Sequence, residues 1–465
     1  MKLFNNLESH AHRIAVIDQN EKKYTYKDIL KIEKKISKFI KKKDKIFLFC
    51  ENTFDFISLY VSLIRLNSVI FLIEETTNNE NLQSLIKNFE PNYIFTTKNK
   101  FLKNYKKLLL KNNNYNFYKT NYKSKLKKEN NLAILISTSG TTSSSKFVML
   151  SQEGIFDNTE KIAKYLNINS RSRAITTMPA SYSYGLSIIN THILKGASII
   201  ATKYTLFEKN FWFLFKKYKP DSLNGVPSIF EMFKKIKIEN FNLTKLKYVT
   251  QAGGKLDSNL IIHFYNLFKK KNIRFYTMYG QTEASPRMSY LNYNMIVKKL
   301  GSIGKTIKNG KFYLVDNQKK NINKKNAIGE LAYKGKNVMI GYANKYDDLE
   351  KTKKIKILYT GDLARKDKDG YYYIVGRKSR FIKLFGMRVS LDDLENKIKE
   401  SFEEVACIGE DNKIIIFLTN KVIIEKIISK LFNSFGIKKN IIEFKLINKI
   451  PKNNNGKIKY SSLKM

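Results

Sequence analysis

The chain has 465 residues, 43% of them hydrophobic, so it can bury sizeable cores, and its length suits about three domain-sized units or one large α/β body with additions. Against 40 Asp and Glu it sets 86 Lys and Arg, a formal charge of +46, and its two cysteines, Cys50 and Cys407, stand far apart. These numbers exclude a disulfide framework and a CxxC metal site, and they predict an attraction for anionic ligands and acidic proteins that weakens with salt.

Lys, Asn and Ile are abundant everywhere, as in a chain biased by an AT-rich genome, so the charge reads first as composition. The densest apolar run, 61–73, is broken by Arg65, Asn67 and Ser68 and falls short of the roughly 20 residues a spanning helix needs. The opening residues, MKLFNNLESHAHR, have no hydrophobic leader core. A soluble, cytoplasmic protein without a membrane span is expected.

Between 14 and 96, short apolar strands alternate with amphipathic helices: IAVID, a helix from the Thr25 cap through Ile40, IFLFC, a helix from Phe54, SVIFLI, a helix near Leu82, then NYIFTT. This alternation predicts a doubly wound parallel sheet. Residues 98–130 interrupt it with Lys, Asn and Tyr and no acid before Glu129. Such a segment suits a solvated insert; it also permits a basic, aromatic nucleic-acid patch, but no recognisable module surrounds it and nucleic acid is not the expected partner.

Residues 132–150, LAILISTSGTTSSSKFVML, deliver a loop of small hydroxyl residues from an apolar run and return to apolar residues before Ser151, a candidate helix cap. Backbone N–H groups, hydroxyls and Lys146 can all donate to phosphate oxygens. The spacing is not that of the common P-loop, since Ser145 precedes the lysine and Phe147 follows it. Alone, the loop is equally a solvated Ser/Thr turn.

The alternation then resumes. RAITTMP, ASIIAT, SLNGV, LKYVTQAGG and IRFYTMYG read as strands, each but the last followed by a helix, and ligands in open α/β sheets collect outside the carboxyl ends of such strands. From 300 to 377 closely spaced strands, KFYLV, GELAY, ILYTGDL and YYYIVG, suggest a small barrel or meander. After Gly376 come FIKLF, a helix from about Ser390, a hairpin of VACIG and IIIFL, a further helix, FKLINKI and a polar lysine loop.

Six strings besides TSGTT stand out: TMPASYSYGL (177–186), QAGGKL (251–256), YGQTE (279–283), YTGDL (359–363), GRKSRFIKLFGMRVSLDDLE (376–395) and PKNNNGK (451–457). Each by itself reads equally as a turn, a hairpin or a frayed end. In this order, over roughly 24–457, the series resembles that of the adenylate-forming superfamily, which includes acyl-CoA synthetases, peptide-synthetase adenylation domains and firefly luciferase. The YSYGLS string and the hinge-like GRKSRFIKLFG are similar to acyl-CoA synthetase-type ligases.

The resemblance implies an α/β fold. A large N-terminal domain, 1–376, would hold doubly wound sheets plus a small β-barrel at about 300–376, and a small mobile α+β domain would follow at 377–465. It implies an AMP-forming acid–thiol ligase: a small carboxylic acid attacks the α-phosphate of ATP, giving an acyl adenylate and pyrophosphate. A thiol, of coenzyme A or the phosphopantetheine of an acyl or peptidyl carrier protein, then displaces AMP.

Carried onto this sequence, Thr138, Ser139, Gly140, Thr141, Thr142 and Lys146 would hold the β- and γ-phosphates. Thr282 would donate to a phosphate and Glu283 would bind Mg2+, a hard cation that favours carboxylate oxygen. Tyr279 would stack on adenine, with Gly280 following it and the Gly253 and Gly254 backbone beside it. Asp362 would take the ribose hydroxyls with Arg377 near it. Lys457 would bridge the substrate carboxylate and the α-phosphate. Tyr182, Tyr184, Gly185, Asn224 and Met278 would line the acyl pocket, and Ser379 would serve as hinge.

Several positions depart from that family. Its phosphate loop usually has glycine at Ser143, proline at Ser145 and glycine at Phe147, and a glycine lost where φ must be positive costs about 1 kcal/mol. Tyr182 replaces a histidine, and Ser379 and Arg380 replace acidic hinge residues. His10, His12, His192 and His263 lack metal-ligand spacing. Arg287 could meet a second anionic group of the substrate or form a structural salt bridge. Two alternatives remain open: a freestanding adenylation enzyme that loads a carrier protein, and a catalytically weakened or non-catalytic protein on the ligase fold.

Overall fold

The structure is a computed structural model that describes residues 3–98, 105–108, 114–123, 126–127, 131–137, 146–324, 326–350, 355–384, 387–399, 402, 404–410, 413–420, 424–435, 437, 439–452 and 457–463. Two compact units result: Met1–Lys311 with Lys334–Leu358, and Phe312–Tyr333 with Tyr359–Met465. No helix among the described residues is long and apolar enough to cross a membrane.

In the first unit, eight of the described strands form one sheet in the order Gly341–Ala343, Phe147–Ser151, Leu132–Ser137, Val69–Glu74, Lys45–Cys50, Tyr93–Thr96, Asn116–Lys119, Lys106–Leu108. The run from Leu132–Ser137 to Tyr93–Thr96 is parallel. Strands buried on both faces read as continuous apolar runs, and KIFLFC, VIFLIE and LAILIS are such runs. Side-chain caps start the helices between them: Thr53 accepts from Phe56 N and Asn78 from Asn81 N. Thr25 forms a capping box with Asp28, but that helix ends at Ile36, and buried Ile40 is reached by a turn.

The insert is more than a solvated loop. Asn116–Lys119 pairs antiparallel with Tyr93–Thr96, and Tyr115, Phe117 and Tyr118 are buried. Tyr115 donates to the Phe49 carbonyl at 2.5 Å. These rings are committed to the sheet and are not free to stack on bases.

Nine of the described strands form the other sheet of this unit. Six of them are parallel, in the order Arg274–Gly280, Tyr248–Gln251, Ser222–Gly225, Arg173–Ile175, Ser198–Ala201, Ile14–Asp18. Antiparallel strands flank them: Lys23–Thr25 at one edge, Arg287–Leu291 and Lys305–Thr306 at the other. IAVID therefore joins this sheet rather than the one that follows it in sequence. From Arg173–Ile175 the chain passes first to the strand on one side and then to the strand on the other. This reversal of direction makes the carboxyl ends of Arg173–Ile175 and Ser222–Gly225 a switch point, where such sheets bind ligands.

In the second unit, Lys311–Val315, Ile328–Lys334, Leu358–Lys366 and Tyr372–Arg377 form a four-stranded sheet in sequential order, a meander. Val405–Glu410 and Lys413–Leu418 form the expected hairpin, with Ile442–Leu446 parallel beside it. Alternate residues face opposite sides. Cys407, Ile414 and Ile416 pack on the helices Leu391–Lys399 and Ile424–Phe435, while Ala406, Ile415 and Phe417 pack on Ile450 and Leu463. Both cysteines are unpaired and buried.

Candidate active site

Leu132–Ser137 and Phe147–Ser151 pair antiparallel with Ser137 opposite Phe147, so the hydroxyl-rich loop connects two strands of one hairpin. Thr138, Ser139, Gly140, Thr141 and Thr142, like Ser143 and Ser145, lie outside the described residues. Ser151 caps the next helix, accepting from Gly154 N at 3.0 Å. Phe147 is buried at the start of its strand, edge-on to Phe71 at 5.6 Å and Phe89 at 5.3 Å. Its φ is not positive, so the strain expected from replacing a glycine is absent there.

Lys146 is described. Its Nζ lies 3.8 Å from the centre of the Tyr342 ring, and the Tyr342 hydroxyl donates to Glu283 Oε1 at 3.0 Å. Tyr342 sits on Gly341–Ala343, the edge strand opposite Val148. Burial and the neighbouring Glu283 carboxylate hold its phenol well above the usual tyrosine value, so it stays a donor. One ring thus holds a lysine from the 132–151 hairpin and a carboxylate from YGQTE. No string in the sequence marked Tyr342, since only strand pairing brings it there.

Thr282 and Ser183 place their hydroxyl oxygens 3.0 Å apart, which joins YGQTE to the start of the helix Ser183–Leu194. Tyr279 and Gly280 end the strand Arg274–Gly280, half-buried. A Cβ at Gly280 would run into the Pro286 carbonyl. Gly253 has φ +87°, and a Cβ on it would lie 2.5 Å from the Tyr182 hydroxyl, so Tyr182 closes over the QAGG turn. Gly254 is exposed beside Pro227.

Of the residues expected to line an acyl pocket, Tyr182, Tyr184, Gly185 and Asn224 sit at the switch point, and Met278 lies two strands away on Arg274–Gly280. Thr177 donates to the Asn224 carbonyl at 2.6 Å, bridging the two strand ends. Tyr184 Oη lies 2.6 Å from Thr250 Oγ1, which donates to Asn224 Oδ1 at 2.6 Å. Met278 Sδ accepts from Tyr165 at 3.0 Å. Gly185 is packed so closely on the Pro179 carbonyl that no side chain fits. Arg287 is buried with its guanidinium 4.8 Å from the centre of the Tyr184 ring. It makes no salt bridge among the described residues, so the structural ion pair considered for it is not formed.

In the second unit Asp362 and Arg377 stand opposite each other in adjacent strands, with Arg377 Nε 3.0 Å from the buried Asp362 Oδ1. Thr360 Oγ1 accepts from Asp362 N at 3.1 Å. Ser379 lies exposed in the short turn Lys378–Arg380. Arg380 is anchored in this unit: it meets Asp392 at 2.8 Å, Glu395 at 2.5 Å and the Cys407 carbonyl at 2.6 Å, and stacks on Tyr460 at 3.8 Å. Tyr460 in turn donates to Glu395 at 2.9 Å. Lys457 is half-buried, next to the bridge of Lys452 with Ile458. Among the described residues no group of three or more His, Cys, Asp or Glu is placed to hold a metal ion.

The sequence pattern of the AMP-binding enzyme family matches residues 3–343. The chain belongs to that family. Oxalate–CoA ligase of Saccharomyces cerevisiae is 25% identical over 374 residues, 76% of this chain and 67% of the ligase. Long-chain-fatty-acid–CoA ligase of Bacillus subtilis is 25% identical over 292 residues, 61% of this chain and 51% of the ligase. This AMP-binding enzyme therefore spans between about half and two thirds of those relatives. The o-succinylbenzoate coenzyme A synthetase of Bacillus subtilis, solved with ATP and magnesium ion, matches it with a TM-score of 0.78. The match covers 100% of this chain and 99% of that one at 17% identity, which shows a shared fold.

Proposed function

We propose that this AMP-binding enzyme activates a carboxylic acid with ATP and transfers the acyl group to a thiol, that of coenzyme A or of carrier-protein phosphopantetheine. A carboxylate oxygen attacks the α-phosphorus, the bond to the β-phosphate breaks, and pyrophosphate leaves. The thiol sulfur then attacks the acyl carbonyl, gives up its proton and expels AMP. The observation that supports this most is the placing of Lys146 and Glu283 on one tyrosine, beside the hairpin whose loop offers hydroxyl donors.

Charge builds on phosphoryl oxygens in the first step, so donors fixed in advance lower its barrier. Lys146 and Thr282 would supply two, and Tyr279 would stack on adenine. Glu283 fits a magnesium ion: Tyr342 occupies one oxygen, and Oε2 has no partner among the described residues. The ion would supply charge neutralisation between the phosphates, held by one carboxylate as Mg2+ commonly is. Asp362 would accept from the ribose hydroxyls, its orientation fixed by Arg377. Lys457 would neutralise the two anions that must approach each other. Pyrophosphate release over a panel of carboxylic acids, with ATP and Mg2+, tests this reading.

A carrier-protein acceptor is favoured by the charge of +46, since acidic carriers would be steered to such a surface. Loading of a carrier that slows with salt, and outpaces coenzyme A, would support it. Equal or better turnover with coenzyme A would refute it.

A further inference from the structure

A small cavity inside the first unit is lined by Tyr184, Ser187, His192, Asn224, Thr250 and Arg287, among others. The helix Ser183–Leu194 turns one face to it, through Tyr184, Ser187, Ile188, Thr191 and His192. Three of its walls carry buried polar atoms with no hydrogen-bond partner: Arg287 Nε, Asn224 Nδ2 and His192 Nε2. Arg287 is 2% exposed, Asn224 3% and His192 1%.

The chemistry of these atoms is set by their neighbours. Thr250 donates to Asn224 Oδ1, so the amide presents its NH2 as a donor. His192 Nδ1 lies 2.8 Å from the Ile188 carbonyl and must carry the proton, which leaves Nε2 an acceptor in the neutral ring. Arg287 brings a guanidinium cation, which donates and cannot accept. Among the described residues the side chains that face its guanidinium are the phenols Tyr184, Tyr182 and Tyr165, the last within hydrogen-bonding reach, and no carboxylate pairs with it. A buried cation without a counter-ion and unsatisfied donors are both destabilising, and an occupant with anionic oxygens removes both penalties. As it stands the cavity holds at most one water molecule, so even a terminal carboxylate must widen it and a chain does not fit.

We infer that this cavity receives a second carboxylate of the acid substrate, taken by Arg287 Nε and Asn224 Nδ2, so that the enzyme is selective for dicarboxylic acids. The inference rests on the adenylation reading and names its substrate class. Tyr184, Asn224 and Met278 line both the cavity and the expected acyl pocket, so an acid lying in that pocket would extend its far end to Arg287.

The test measures pyrophosphate release with succinate, glutarate and adipate against butyrate, pentanoate and hexanoate. Melting temperature and ATP binding are followed alongside as reports on the fold. The native protein should prefer the diacid of a matched pair by at least ~10-fold in kcat/KM, because the monoacid leaves the buried donors unpaired. Arg287→Met should abolish that ratio. Should Arg287→Met fail to fold, Asn224→Asp serves instead: its carboxylate pairs with Arg287 inside the cavity and should invert the ratio towards monoacids. Equal turnover of matched monoacids and diacids by the native protein, or an unchanged ratio in a folded variant, overturns the inference and leaves adenylation standing. No pyrophosphate from either class overturns the inference, and adenylation itself then stands or falls on a broad panel of carboxylic acids.

Discussion

The Tyr342 hydroxyl donates to Glu283 at 3.0 Å while the same ring carries the Lys146 ammonium on its face. A cation and a carboxylate that would otherwise attract each other are thereby held apart, each directed by a different part of one side chain. Tyr342→Phe keeps the ring and removes the donor. A hydrogen bond to a charged group is worth roughly 1.5 kcal/mol or more, so KM for ATP at fixed Mg2+ should rise about tenfold with little change in melting temperature. Tyr342→Leu, which also removes the cation–π contact, should raise it further. An unchanged KM in Tyr342→Phe would show that Glu283 needs no orienting partner.

Phe147 occupies a position where the family usually has glycine, yet it is a core residue packed on Phe71 and Phe89. Phe147→Ala should cost about 3 to 5 kcal/mol in urea unfolding. Phe147→Gly, although it restores the family residue, should destabilise at least as much and should not tighten ATP binding. A glycine variant with native stability and better ATP affinity would place the residue in the loop's function and not in the core.

Arg380 stands where the resemblance expects an acidic hinge residue, and its partners Asp392, Glu395, Cys407 and Tyr460 all belong to the second unit. Arg380→Ala leaves buried Glu395 with Lys399 Nζ, 3.9 Å away, as its remaining counter-ion among the described residues, a loss of about 3 kcal/mol. Hydrogen exchange over 391–418 should quicken accordingly. Arg380→Met combined with Glu395→Gln should recover part of that loss, since no charge is then left buried. If the single variant exchanges like the native protein, the network does not hold the unit together.

Alkali should unfold the protein steeply. Burial pushes the Tyr165 phenol up to about 12, and raises those of Tyr26, Tyr60 and Tyr248 as well. In the unfolded chain these groups ionise near pH 10, so the folded chain holds their protons more tightly. The stability involved is intact below about pH 10 and is lost as pH rises from there towards 12 and beyond, by roughly 1.4 kcal/mol per pH unit for each group. Denaturant midpoints measured between pH 8 and 11.5 should be level at first and fall above 10. A midpoint that stays level to the end would mean that these phenols are open to solvent.

Local pattern made the elements legible and left their partners hidden. IAVID is plainly a strand, but its pairing with Ser198–Ala201 instead of the nearby Lys45–Cys50 is decided by contacts far away in sequence. The aromatics of the insert look solvated among their lysines until Asn116–Lys119 is seen to extend a sheet. Asp362 and Arg377 were both readable from motifs, and strand register sets them opposite each other. Tyr342 and Ser183 were not singled out for these contacts, because a side chain that acts by orienting another needs no motif of its own. Arg287 was visible as a cation, while the absence of a counter-ion among the described residues could be seen only once its neighbours were placed.

The most direct single measurement is acid-dependent pyrophosphate release by the native protein and Lys457→Ala side by side, with ATP, Mg2+ and a broad panel of carboxylic acids. Adenylation predicts release with at least one acid, and a loss on the order of 100-fold or more in the variant, as when one charge-stabilising donor is removed from an active site, with an unchanged melting temperature. A folded, ATP-binding native protein that releases no pyrophosphate with any acid, or a variant as active as the native chain, would contradict it.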